Sequence, residues 1–159
     1  MTRHPPPRPP RQWRTDLHHG SFLAELKVPA DAQFIPAAKR LGASLGAELG
    51  FSLEEIDELG IAVAQACGST IVACDEIWGE DSGATMKLSY AKTNRGIAVE
   101  VEGVSPGSKA LARRPGVHRE DPMRLLGDEM IRMFVDDFRS TLDTNRGRVH
   151  LRLVKYLIG

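Results

Sequence analysis

The sequence predicts an α+β fold: a two-layer sandwich, with a mixed, mostly antiparallel sheet and three helices on one face. Three observations predict it. Short runs alternate apolar and polar residues at the two-residue period of half-buried strands, at Ser21–Val28, Thr85–Ala91, Gly96–Glu102, Val135–Leu142 and Arg148–Tyr156. Three other stretches repeat apolar residues at helical spacing instead. The order is strand, helix, helix, hairpin, long loop, helix, hairpin, and packing all helices on one face of the sheet buries every apolar stripe at once.

Each element has its own local signal. In SFLAELKV, Phe22, Ala24, Leu26 and Val28 share a face, and Pro29-Ala30-Asp31 stops the strand. Pro36 suits the first turn of the next helix, where its missing N–H costs least. Ala38, Leu41, Leu45 and Leu49 form that helix's stripe, and Gly50 stands where a helix-ending glycine is expected. Phe51–Cys74 is the stretch around which the rest is arranged. Ser52 and Glu55 form a capping box, with Phe51 and Ile56 as a hydrophobic staple. Its stripe runs through Leu53, Ile56, Leu59, Val63, Cys67, Ile71 and Cys74. Ala62, Ala64, Ala66, Gly68, Ser69 and Ala73 leave so little side-chain bulk that a sheet or a ligand can approach closely.

A polar loop, DEIWGEDSG, is expected next, with Trp78 over a core edge. Thr93-Asn94-Arg95-Gly96 and Thr144-Asn145-Arg146-Gly147 close the two hairpins, with Asn and Gly suited to positive φ. Between the hairpins, residues 103–121 lack a period and read as a long lid-like loop. Pro122–Phe134 is the third helix, with Leu126, Met130, Met133 and Phe134 on one side.

Composition narrows the functional classes. Lysine plus arginine equal aspartate plus glutamate at 21 each, so overall charge favours neither nucleic acid nor a membrane surface. Cys67 and Cys74 lie about 10 Å apart along a helix, too far for a disulfide, and read as small core residues in a reducing, cytoplasmic setting. No run resembles a signal peptide or a membrane span. Residues 1–20 hold five of the ten prolines, interleaved with Arg3, Arg8, Arg11 and Arg14, and are expected to be a disordered tail before a domain at 21–159. A basic arm anchored by Trp13 is the sharp reading of that tail; a plain solvated leader needs fewer assumptions. His4, His18 and His19 have no cysteine or carboxylate beside them to complete a metal site, and no metal site is expected.

Five fragments, in this order and spacing, carry a family resemblance: LKVPADAQFIPAAKRL, GFSLEEIDELGIAVAQAC, VEVEGVSPG, IRMFVDD and VHLRLVKYL. From about Leu26 onward the chain resembles the RsbW-type anti-sigma factors, serine-kinase members of the histidine-kinase-like ATPases with the Bergerat nucleotide fold. The resemblance implies Mg-ATP as cofactor, and a sigma factor and a STAS-type anti-anti-sigma protein as partners. It also implies pairing of two copies, and no direct contact with nucleic acid or membrane.

The chain departs from that family at the positions that handle nucleotide. Where the family carries Glu-Ala-Cys-x-Asn, this chain has Gln65-Ala66-Cys67-Gly68-Ser69. Gln65 lacks the charge to accept a proton at the γ-phosphate, and Ser69 offers magnesium an oxygen on a shorter arm. The family's Asp-x-Gly-x-Gly aligns with Gly103-Val104-Ser105-Pro106-Gly107, so Gly103 replaces the adenine-recognising aspartate, Ser105 the first glycine, and Gly107 is retained. The glycine-rich opening of the third helix aligns with Arg124-Leu125-Leu126-Gly127-Asp128, keeping Gly127 and placing Asp128 where it would compete with phosphate.

Hydrogen bonds to charged groups contribute roughly 1.5–3 kcal/mol each, and about 1.4 kcal/mol is tenfold in affinity. Losing the aspartate and the magnesium ligand thus removes on the order of a hundredfold or more in ATP affinity. The expected protein is an anti-sigma-like regulator acting by protein contact, without a catalytic residue and without a cofactor. The alternatives are an active serine kinase of a STAS partner and, more remotely, a small-ligand sensor using the altered pocket. On this alignment, restoring the family's three side chains together by Gln65→Glu, Ser69→Asn and Gly103→Asp is expected to recover some affinity.

Overall fold

A computed structural model describes residues 20–107, 122–143 and 145–158. Strand β1 (Gly20–Pro29) leads through a short 3-10 turn (Ala32–Phe34) into helices α1 (Ile35–Glu48) and α2 (Leu53–Trp78). Hairpin β2 (Thr85–Thr93)–β3 (Gly96–Val104) follows, then α3 (Pro122–Phe134) and hairpin β4 (Asp137–Asp143)–β5 (Arg148–Tyr156). Of the expected tail at 1–20, residues 1–19 lie outside the described residues, and Gly20 is the first residue of β1. Most of the expected lid, 108–121, also lies outside them.

The sheet runs in the order β1-β2-β3-β5-β4. The two-layer sandwich holds, and its sheet is antiparallel throughout the described residues, with no parallel pair to make it mixed. The reason is the pair of helices between β1 and β2. Two antiparallel helices return the chain to the end of β1 that it left, where Pro29 faces Thr85, and the next strand must run back. Each face of the sheet then reads as its sequence alternation requires. Rows such as Ala24–Tyr90–Val99–Leu153–Phe138 and Val28–Met86–Gly103–Val149–Leu142 point toward the helices. Tyr90, Met86, Val99 and Val149 are fully buried there, each apolar side chain contributing about 1.5–3 kcal/mol. The opposite face carries Glu25–Ser89–Glu100–Arg152–Arg139, with ion pairs such as Arg152–Glu100 at 3.5 Å that add little.

All three helices cover the apolar face, α2 lying over β3 and β5 with α1 and α3 on its flanks. The Tyr90 hydroxyl donates to the Ala38 carbonyl at 2.8 Å, tying the sheet to α1. The α1–α2 junction forms as its sequence signals require. Gly50 takes φ 92°, its N–H donating to Ala47 O at 3.1 Å while Phe51 N donates to Gly46 O at 3.0 Å, the two bonds of a Schellman cap. Ser52 then caps α2: Glu55 N donates to Ser52 Oγ at 3.1 Å and Ser52 N to Glu55 Oε1 at 3.0 Å.

Three local expectations are revised. Helix α2 continues one turn past Cys74, so Asp75–Trp78 is helix and the loop starts at Gly79. Ile77 and Trp78 are buried at that end, and they hold the extra turn against the core. The first hairpin uses no positive φ at Asn94 or Gly96. Thr93 Oγ1 instead accepts from Gly96 N at 2.9 Å, and Gly96 is needed because a Cβ there would run into the Lys155 carbonyl. In α3 the stripe Leu126–Met130–Met133 faces outward, with Met133 75% exposed, while Gly127 and Ile131 are buried. Close approach to α2 selects the small residue, and it turns the larger apolar ones away.

By length and composition α2 could cross a membrane. Here it is the core helix: Leu59, Ala62, Val63, Ala66, Cys67, Thr70, Ala73, Cys74, Ile77 and Trp78 are all buried. Both cysteines are free thiols, and burial pushes each up to about 12. At neutral pH they are packing residues.

Candidate functional site

The sequence-named positions gather where α3 crosses α2. Gln65, Ser69 and Glu76 share one stripe of α2, by the spacing of a helix face. Helix α3 runs antiparallel along that stripe. Near its start, Arg124 reaches Glu76 at 2.8 Å. One turn on, Gly127 sits over Gln65 and Ser69: a Cβ there would lie 2.8 Å from Gln65 Nε2 and 3.7 Å from Ser69 Oγ. At its end, the Phe134 carbonyl and Glu58 Oε2 both accept from Lys155 Nζ, at 2.8 and 2.7 Å. Lys155 is 5% exposed. One buried ammonium thereby joins β5, α2 and α3.

Gly127 and Asp128 therefore lie inside α3 rather than at its opening, which corrects the placement expected from the aligned glycine-rich segment. A helix's N-terminal field fades within its first turn, so Asp128 is not in that field. Its carboxyl is pushed above the ordinary value by burial, against the pull of Arg132 and Arg124.

Gly103 occupies a core-facing position near the end of β3, paired with Met86 on one side and Val149 on the other. A Cβ at Gly103 would meet Cys74 Sγ at 2.7 Å and Val149 Cβ at 3.0 Å. Ser105 and Gly107 follow beyond the strand, Gly107 at φ 121° and donating its N–H to Ser105 Oγ at 3.4 Å. The structure thus brings Gln65, Ser69 and Gly127 together at the helix crossing, and keeps Gly103, Ser105 and Gly107 as a separate group at the end of β3. No carboxylate stands at position 65 or 103, so the donor set present does not match the one the resemblance assigns to Mg-ATP.

Sequence reading missed what surrounds these residues. It did not see that Cys74 and Val149 crowd Gly103, or that Arg124 pins α3 to Glu76. The one available signal for the second was an arginine opposite an exposed glutamate, too common to single out. Elsewhere the described residues form a cleft of about 500 Å³, lined by Pro29, Asp31, Ile71, Asp75, Asp81 and Gly83 among others. None of the six candidate positions lines it. Burial raises Asp75 in that cleft above its ordinary value, helped by the charges of Glu80, Asp81 and Asp31. Among the described residues, no group of three or more His, Cys, Asp and Glu is arranged to hold a metal.

Comparison with known proteins points to one kind of relative. No protein-family model matches the chain. A serine-protein kinase RsbW of Halalkalibacterium halodurans is 32% identical over 72 residues, which are 45% of this chain and 41% of the relative. A serine-protein kinase RsbW of Bacillus cereus is 25% identical over 122 residues, 72% of this chain and 74% of the relative. Its counterpart in Bacillus thuringiensis is 26% identical over the same shares. Three helices on one face of a five-stranded antiparallel sheet are consistent with the Bergerat-type fold named from the sequence. Over most of its length the chain is thus similar to RsbW serine-protein kinases at low identity, and its fold is consistent with theirs.

Proposed function

We propose that the chain is an anti-sigma-factor-like regulator that acts in the cytoplasm by binding partner proteins, with weak or lost Mg-ATP binding and no kinase activity. The observation that carries this reading is Gln65. An uncharged amide stands at the family's proton-accepting position, and Gly127 of α3 is packed over it. A neutral amide cannot take a proton from a serine hydroxyl or a water at neutral pH. What remains of the family's role is its protein contacts: a sigma factor, a STAS-type anti-anti-sigma protein, or both, and a second copy of the chain. The first helix, at Ala37–Glu48, and the segment at 103–121 are the surfaces to which the resemblance assigns partners.

Calorimetry with Mg-ATP at millimolar concentration tests the reading. No heat of binding, or a Kd no tighter than millimolar, is expected. The names of the relatives favour a rival, an active serine kinase. Tight binding, followed by transfer of labelled phosphate to a co-expressed STAS protein, would establish that rival and sink the proposal. Pull-down with the full chain tests the partners, and recovery of neither a sigma factor nor a STAS protein would count against them.

A further inference from the structure

We infer that Gly103 is a steric lock, and that Cys74 and Val149 close the end of β3 against adenine nucleotides whatever polar groups are restored around it. The inference rests on reading Gly103 as the position of the family's adenine-recognising carboxylate. It reverses the expectation that restoring the three family residues recovers affinity.

Two contacts differ in kind. At Gly127 the nearest atom to an added Cβ is Gln65 Nε2, at 2.8 Å. That atom ends a long, half-buried side chain, which can swing aside at small cost. At Gly103 the nearest atoms are Cys74 Sγ at 2.7 Å and Val149 Cβ at 3.0 Å. Cys74 is fully buried among core residues and has one side-chain torsion to turn, and Val149 Cβ is fixed to its own strand backbone. Even a methyl group at position 103 must turn the buried Cys74 side chain or move α2 and β5 away from β3. An aspartate would bring its carboxylate into the same gap, where burial already pushes the Cys74 thiol up to about 12 and disfavours any charge. The α2–α3 crossing therefore yields at small cost, whereas the α2–β3 seam yields only at a larger one.

Four proteins test this: the natural chain, Gly103→Ala, Cys74→Ala and their double variant, each melted thermally. Gly103→Ala is expected to lower Tm by about 4–8 °C, and in the Cys74→Ala background the same change is expected to cost no more than half as much. Independent effects of the two substitutions would overturn the inference. The triple variant Gln65→Glu, Ser69→Asn, Gly103→Asp is then titrated with Mg-ATP. It is expected to bind no better than the natural chain. Tenfold or tighter binding by the triple variant alone would overturn the lock and leave the proposed function standing, whereas tight binding by the natural chain would sink both. If the triple variant does not fold, the alanine cycle decides.

Discussion

The two flanks of α2 are held by different means. On the α1 side the junction closes within about one turn of chain, through Gly50, Phe51, Ser52 and Glu55, whose capping bonds are to near neighbours in sequence. There is one long-range addition, Ile158 N–H donating to Glu55 Oε2 at 3.2 Å. On the α3 side the contacts join residues 21 to 97 positions apart: Lys155 to Phe134, Arg124 to Glu76, and Lys155 to Glu58. Where that flank is closest, the sequence shows only a missing side chain, at Gly127. A cap needs particular atoms at fixed short offsets, so it leaves a pattern. A close helix crossing needs only that nothing intrude, and it leaves a glycine that could serve many purposes.

The largest break in the α3 flank is expected from Glu58→Ala. It leaves the Lys155 ammonium, 5% exposed, with the Phe134 carbonyl as its remaining partner. Removing one member of a buried pair costs about 3–5 kcal/mol. Glu58 keeps 34% of its side chain in solvent, which brings the expectation down to about 2–3 kcal/mol, read from urea unfolding. Lys155→Met removes both the charge and the need for a partner, and it should cost less than Glu58→Ala. The reverse ranking would show that the pair does not hold the helix.

That contrast also explains what could be read in advance. The strands, the helix order, the Schellman glycine and the capping box were legible because alternation, stripe and cap are local. Their registers follow, since a one-residue slip would turn Tyr90 and Val99 to solvent. The third helix misled because Leu126, Met130 and Met133 form a good apolar stripe at the right period. The stripe is genuine and faces outward, because α2 accepts Gly127 and Ile131 instead. At the candidate site, Gln65 and Gly103 show two missing charges plainly, and Ser69 a shorter oxygen arm. Their crowding by Gly127, Cys74 and Val149 depends on the distance between layers, which no spacing in one chain records.

The α1 flank should break by a middling amount. Ser52→Ala deletes the hydroxyl that accepts from Glu55 N, for an expected loss of about 1 kcal/mol. The same change should alter the acid limb of stability. The Ser52 N–H is the largest influence holding Glu55 below its ordinary 4.5. A carboxyl lowered in the folded state adds stability that is complete above its unfolded value and is lost as pH falls through the folded one. Loosening the box removes part of that gain, so the variant should lose less stability than the natural chain as the pH is taken below 4.5. Parallel curves would mean that Glu55 keeps its shift without the hydroxyl, through the backbone N–H at position 52, Ile158 N–H and Lys155.

Arg124→Ala should have the smallest effect, and it separates the two ends of α3. Arg124 and Glu76 meet at 2.8 Å with side chains 20% and 47% exposed, and such solvated pairs contribute about 0.2–1 kcal/mol. Global unfolding should therefore shift by a few tenths of a kcal/mol, well below the shift from Glu58→Ala. Local opening is the more sensitive measurement. The described part of α3 starts at Pro122, and Arg124 is its first side chain tied to α2 by an ion pair. Amide exchange in the first turns of α3 should then accelerate several-fold, while amides near Ile131, fully buried, keep their natural rate. Uniform acceleration along the helix would show that α3 docks as one unit and that the Lys155 end alone does not hold it. Unchanged exchange would assign the docking of its first half to Gly127 and its fit over Gln65.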